Sequence, residues 1–203
     1  MGPTIADETP WSLRIMQHGL GSLPDTCPWW HAYTFDNVLR RLFYNTNKLF
    51  GPYVQPGMTV LDVGCGMGFN AIGLARLLGE SGCVIAVDVR PQVLRVLERR
   101  ARKAGVVGRI RIHLCEPDSI GVDQIVGFIN AFWMVHEVPD ARSFLEQTRA
   151  CLAPGGKMFV AEPRMHVPRK AFESMLETAR QVGLKPVDRP RVCFSRAVVL
   201  SRY

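Results

Sequence analysis

Three glycines and two carboxylates carry the spacing in this chain that implies chemistry. The stretch Val60-Leu61-Asp62-Val63-Gly64-Cys65-Gly66-Met67-Gly68-Phe69 sets glycines at every second position between two apolar runs. A glycine loop joining a strand to a helix lets a ligand lie against the backbone, because no Cβ stands in the way. Asp88 closes the next apolar run, Cys83–Asp88, twenty residues after Gly68. Nucleotide-binding folds place there the acid that grips ribose hydroxyls.

Asp62, two residues before the first glycine, bears on which nucleotide is bound. A G-x-G-x-x-G loop rests a pyrophosphate on a helix N-terminus. Here the spacing is G-x-G-x-G, and a carboxylate beside it repels a pyrophosphate but suits a ligand bearing an ammonium and a sulfonium. The alternative role for Asp62 is to cap the loop's own N–H groups. The charge argument points to S-adenosylmethionine, with S-adenosylhomocysteine as its product form, and away from a nicotinamide dinucleotide.

The elements that must position these residues follow from periodicity. Strands are expected at Met58–Val63, Cys83–Asp88, Ile110–Leu114, Ile125–Phe132 and Lys157–Ala161, the last entered through Pro154-Gly155-Gly156. Helices are expected at Phe69–Leu78, from Pro91 to Gly105, from an Asp140 cap through Leu152, and from Pro168 to Gly183. Two last strands, near Val187 and at Val192–Leu200, are separated by Pro190 and form a hairpin. This alternation predicts an α/β fold, a Rossmann-like doubly wound seven-stranded sheet, mostly parallel with an antiparallel C-terminal edge hairpin. A ligand then binds beyond the carboxyl ends of the strands, at the switch point. Residues 51–203 form the domain, and residues 1–50 read as an N-terminal helical cap with an amphipathic helix from about Phe35 to Asn45.

From about Gly51 to Tyr203 the chain resembles the class I S-adenosylmethionine-dependent methyltransferases, in particular the small type 11 group related to the ubiquinone/menaquinone-biosynthesis enzymes. The resemblance lies in the glycine loop and Val87-Asp88. It extends to Phe132-Trp133-Met134-Val135-His136-Glu137-Val138-Pro139-Asp140 and Leu152-Ala153-Pro154-Gly155-Gly156-Lys157. It implies that Asp62, Gly64, Cys65, Gly66 and Gly68 hold the methionine moiety, that Asp88 holds the ribose, and that Glu116 meets the adenine amino group. Val89, Pro117 and Ala131 complete the implied cofactor set. Two departures stand out: Pro117 has no N–H to offer adenine, and Gly127 stands where the family often carries an acid.

Methyl transfer from a sulfonium is an in-line displacement, in which positioning alone supplies roughly 7–11 kcal/mol at best. A general base is required only when the acceptor must lose a proton. His136 and Glu162 follow expected strands; each faces the acceptor as base or orienting group, or hydrogen-bonds a neighbouring loop to fix the rim. His166 reads more as a structural residue at the same edge. Trp29 and Trp30, within Cys27-Pro28-Trp29-Trp30-His31, either wall an acceptor pocket or anchor the cap to the sheet; Tyr33, Trp133 and His166 complete the expected pocket.

The chain has 203 residues, a formal charge of +7 and 47% apolar residues, enough for a full core. Arg90–Arg111 holds eight basic residues against Glu98. Such a stretch reads as a nucleic-acid surface or as the solvated face of a helix, and the absence of interleaved aromatics favours the second. Asn130-Ala131-Phe132-Trp133 also lacks the paired prolines of enzymes that methylate nucleic-acid amino groups. The expected acceptor is therefore a small molecule. The alternatives are an RNA or DNA methyltransferase, or a protein that binds the cofactor without transfer. Six scattered cysteines without a C-x-x-C pair predict no metal. The lack of a membrane-length apolar run or a leader predicts a cytoplasmic address.

Overall fold

The computed structural model describes residues 44–203. Trp29, Trp30, Tyr33 and almost all of the expected cap helix lie outside them. That helix was expected to reach Asn45, but Asn45 is extended and its side chain accepts from the Lys48 N–H, capping a separate helix α1, Thr46–Phe50. Five residues cannot hold a helix in water by themselves. Packing stabilises it: Phe50 is fully buried against Phe128 and Phe159, with ring centroids 5.9 and 5.2 Å away. The packed unit thus begins ahead of Gly51.

The strands are β1 Thr59–Val63, β2 Cys83–Asp88, β3 Ile110–Leu114, β4 Val126–Phe132, β5 Leu152–Pro163, β6 Leu184–Asp188 and β7 Ser195–Arg202. They form one sheet in the order β3-β2-β1-β4-β5-β7-β6. The pairs of the first five strands are parallel, and β7 runs antiparallel to both β5 and β6. Helices α2 (Phe69–Leu77), α3 (Pro91–Lys103), α4 (Ala141–Cys151) and α5 (Arg169–Gln181) cover it.

Period-2 alternation divides the core in two. Val60, Val84, Ala86, Phe128 and Phe159 face α1, α2 and α3, whereas Leu61, Ile85, Ile129, Met158 and Val160 face α4 and α5. In α3, Pro91 occupies the first turn, and Val93, Leu94, Leu97 and Ala101 are buried while Arg95, Arg99 and Arg102 face solvent. Among the described residues, no helix is long and apolar enough to cross a membrane.

Two strand starts differ from expectation by three residues or more. Leu152 was expected to close a helix and Lys157 to open a strand, but β5 already pairs at Leu152 with Val126. The pairing then skips to Phe128 with Lys157, so 153–156 form a bulge inside the strand. The last strand begins at Ser195, not Val192, because the Ser195 N–H bonds back to the Val192 carbonyl and Phe194 takes a φ of 54°. That turn cannot continue a ladder.

Phe50→Ala should cost about 3–5 kcal/mol of unfolding free energy, the range for emptying a buried aromatic site. Urea denaturation measures it, and a loss below about 1 kcal/mol would mean that α1 is not part of the core.

Candidate functional site

The chain reverses its direction of progression between β1 and β4, and a cavity of about 380 Å³ opens there, at the carboxyl ends of the strands. Its wall is built from Gly64 after β1, Asp88 at the end of β2 with Val89 and Arg90 after it, the 115–120 segment after β3, and Trp133, Met134 and Glu137 after β4. Ser143, Phe144 and Gln147 of α4 close one side.

The glycine loop is held by its strand neighbours. The Cys65 N–H donates to the Val87 carbonyl at 3.0 Å, and the Gly66 N–H donates to the Asp88 carboxylate at 3.0 Å. Gly64 has a φ of 65°, and a Cβ there would lie 2.8 Å from the Met134 Cβ, so the close crossing of loop and post-β4 turn excludes a side chain. Gly66, at φ 52°, is different: a Cβ would meet no atom within 4 Å. The space beside it is open, and the loop is drawn toward β2 through its N–H.

Asp88 is buried, and its carboxylate is fully engaged. Oδ1 accepts from the Arg90 backbone N–H at 3.0 Å and from Arg90 Nε at 3.1 Å; Oδ2 accepts from Gly66 and, at 3.4 Å, from Arg90 Nη2. Burial opposes the Arg90 charge, but Asp88 and, more weakly, Glu137 hold the guanidinium pKa above its ordinary value. Burial, reinforced by Asp88, pushes the Cys115 thiol up to about 12 and the Cys65 thiol well above its usual range, so both stay neutral.

Asp62 stands behind the cavity wall, 1% exposed, where its Oδ1 accepts from Asn130 Nδ2 at 2.7 Å. The two residues face each other across the β1–β4 register. Ala131 is likewise fully buried in β4. Cys65, Gly66 and Gly68 shape the loop, while Gly64, Asp88, Val89, Glu116 and Pro117 line the cavity. The turn after β3 is closed by a reciprocal pair of backbone bonds between Glu116 and Ser119. Gln147 clamps the same segment: its Oε1 accepts from the Ile120 N–H at 2.9 Å and its Nε2 donates to the Asp118 carbonyl at 2.8 Å.

Of the acceptor-side residues, Trp133 lines the cavity. Its φ of 62° is unfavourable for a side chain of that size. It is held there by its N–H on the Ala161 carbonyl at 2.7 Å and by its indole N–H on Ser195 Oγ at 2.9 Å. His136, Glu162 and His166 do not line the cavity. Glu162 is 2% exposed, accepts from the Val135 N–H at 3.0 Å and forms a very short hydrogen bond with His136 Nδ1. Both of its oxygens therefore fix the turn after β4, the rim role. His166 is exposed, with its ring centroid 6.1 Å from that of His136.

Arg90, Asn130 and Gln147 were missed by the sequence reading. Only Arg90, two residues past Asp88, lay near a visible signal.

The hydrogen bond to Glu162 raises the His136 pKa above 6.5, outweighing the opposing effect of burial. A folded-state pKa above the unfolded one gives stability that is complete below the unfolded value and lost as the pH climbs through the folded value. The melting temperature should accordingly fall more steeply over that window in the wild type than in His136→Gln. Parallel curves for the two proteins would remove the bond from the stability of the fold.

Comparison with known proteins agrees with this geometry. A family model described as a methyltransferase domain matches residues 54–188. The ribosomal protein L11 methyltransferase of Pelotomaculum thermopropionicum is 35% identical over 117 residues, which cover 56% of this chain and 35% of that protein. A ubiquinone/menaquinone biosynthesis C-methyltransferase of Shewanella sp. (strain ANA-3) is 28% identical over 123 residues, covering 59% of this chain and 49% of that one. The chain thus spans between about a third and a half of the length of these relatives. A crystal structure of an S-adenosylmethionine-dependent methyltransferase from Aquifex aeolicus superposes with a TM-score of 0.78 at 22% identity, covering 88% of this chain and all of that one. The glycine loop, the buried acid at the end of β2, the sheet order and the matching family model lead to one conclusion: this chain belongs to the class I S-adenosylmethionine-dependent methyltransferases.

Proposed function

We propose that this chain transfers a methyl group from S-adenosylmethionine to a small organic acceptor. The observation that carries this reading is the cavity of about 380 Å³, lined by Gly64 and Asp88 together with Trp133, Met134 and Val138. Its size falls in the roughly 300–1,000 Å³ range of small-molecule sites. The cofactor, when bound, supplies an electrophilic methyl group on a sulfonium. In this reading Asp88 takes the ribose hydroxyls, Glu116 and Asp118 meet the donor edge of the adenine, and Trp133 provides an apolar wall for the acceptor. Catalysis then rests on positioning and on exclusion of water, since Glu162 is already committed to the Val135 N–H and His136.

The basic helix supports a small acceptor over a nucleic acid, because several of its cations already serve the protein. Arg100 donates to the Met67 carbonyl at 3.3 Å and Arg102 pairs with Glu98 at 2.7 Å, while Arg90, just ahead of the helix, is bound to Asp88. Replacing Arg95, Arg99 and Arg102 together by glutamine should leave turnover within about twofold, the scale of surface substitutions. A loss of turnover, with steeply salt-dependent RNA binding by the wild type, would establish the nucleic-acid alternative.

The direct test is release of S-adenosylhomocysteine from the purified protein given pooled small metabolites, total RNA or ribosomal protein in separate arms. Release in the metabolite arm is expected. Release confined to either macromolecular arm would overturn the acceptor class, and no release in any arm, with calorimetric cofactor binding intact, would favour a protein that binds without transfer. Asp88→Ala should weaken S-adenosylhomocysteine binding by roughly 1.5–3 kcal/mol, the worth of hydrogen bonds to a charged group. An unchanged dissociation constant would place the ribose elsewhere.

A further inference from the structure

A carboxylate offers about four lone-pair positions, and in Asp88 all four are taken. Two acceptances come from backbone, the N–H groups of Gly66 and Arg90, each at 3.0 Å. The other two come from the forked guanidinium of Arg90, through Nε at 3.1 Å and Nη2 at 3.4 Å. The backbone donors are fixed by the loop and by the end of β2. The guanidinium is the movable pair, on a side chain 19% exposed at the cavity wall.

A ribose presents its hydroxyls as a pair of neighbouring donors, and the guanidinium presents the same pattern to the same two oxygens. The two cannot hold Asp88 together. A second carboxylate is available for the displaced cation, because Glu137 lines the same cavity and is exposed. We propose that Arg90 is a built-in competitor of the ribose, and that binding of a ribose-bearing ligand exchanges its guanidinium from Asp88 to Glu137. Arg90 is thus a positioning residue that sets how strongly, and how selectively, the site holds a ribose diol. This rests on the reading of Asp88 as the ribose acid.

The exchange has a definite energetic sign. Removing the guanidinium leaves a buried carboxylate with unfilled acceptor positions, and a ligand that fills them gains by relieving that cost. Deleting a group beside the ligand should therefore strengthen binding. Arg90 and Glu137 should also be coupled, since Glu137 matters only when a displaced guanidinium needs a partner.

The experiment measures calorimetric dissociation constants of the full-length chain for adenosine and for 2′,3′-dideoxyadenosine, which lacks the diol. Wild type should prefer adenosine, and Asp88→Ala should erase the preference. Arg90→Ala should bind adenosine roughly fivefold tighter, the order of one net hydrogen bond, with dideoxyadenosine unchanged. Arg90→Lys keeps the charge but not the fork and should fall between wild type and Arg90→Ala; it decides the question alone if the alanine variant does not fold. Glu137→Gln should weaken adenosine binding in the wild type but not in the Arg90→Ala background. A wild type indifferent to the diol would overturn the ribose reading itself. A preference lost in Asp88→Ala, with adenosine binding equal or weaker in the Arg90 variants, would leave that reading intact and overturn the exchange.

Discussion

The buried carboxylate of Asp88 is the constraint around which this site is organised. An ionised acid cannot stay buried without donors, and here they come from two directions: the glycine loop after β1, through the Gly66 N–H, and the first turn after β2, through Arg90. Satisfying the charge therefore fixes the loop to the neighbouring strand end. On the other side β1 pairs with β4 up to Val63 and Ala131, which sets Gly64 close against Met134. The cavity is the space left once that carboxylate is satisfied.

Other polar ties repeat this logic around the cavity. Asp62 and Asn130 join β1 to β4 beneath the floor. Gln147 reaches from α4 to hold the segment after β3 at two points. Glu162, from the end of β5, holds the turn after β4 through Val135 and His136. Each joins segments distant in sequence and close at the strand ends, where irregular backbone would otherwise be loose. The left-handed conformation of Trp133 fits this picture, since such a residue costs of order 1–3 kcal/mol and persists only where its surroundings over-determine it. Its backbone and its indole are each tied to a different strand.

The glycine loop, Asp88 and the order of strands and helices were legible in the sequence because they rest on local rules: period-2 alternation, glycine permissiveness and cap residues. The strand ends were also legible as places for chemistry. What a side chain does there was not, because it depends on partners far along the chain. Glu162 stands at a strand end, but its place in the alternation sets it with Met158 and Val160 on the α4–α5 side, where Val135 supplies the donor. Asn130 reads as a strand residue until β1 sets Asp62 opposite it. Gln147 reads as an ordinary helical glutamine. For the short helix α1 the sequence offers only the Asn45 cap, since Phe50 is stabilised by Phe128 and Phe159, which arrive more than seventy residues later.

Charge is distributed in two opposite ways, and the difference bears on what can reach the reaction. The chain as a whole carries a formal charge of +7. The cavity wall carries Asp88, Glu116, Asp118, Glu137 and Asp140, with Arg90 as its one cation among the described residues. A polyanion drawn by the exterior would meet like charge at the cavity, where Asp88 is buried and Glu116, Asp118, Glu137 and Asp140 are exposed. A compact cation experiences the reverse, and salt screens the exposed charges over about 8 Å at physiological ionic strength while reaching the buried Asp88 least. The acids around the cavity therefore favour a ligand bearing positive charge, and the exterior charge by itself is no guide to what the cavity takes.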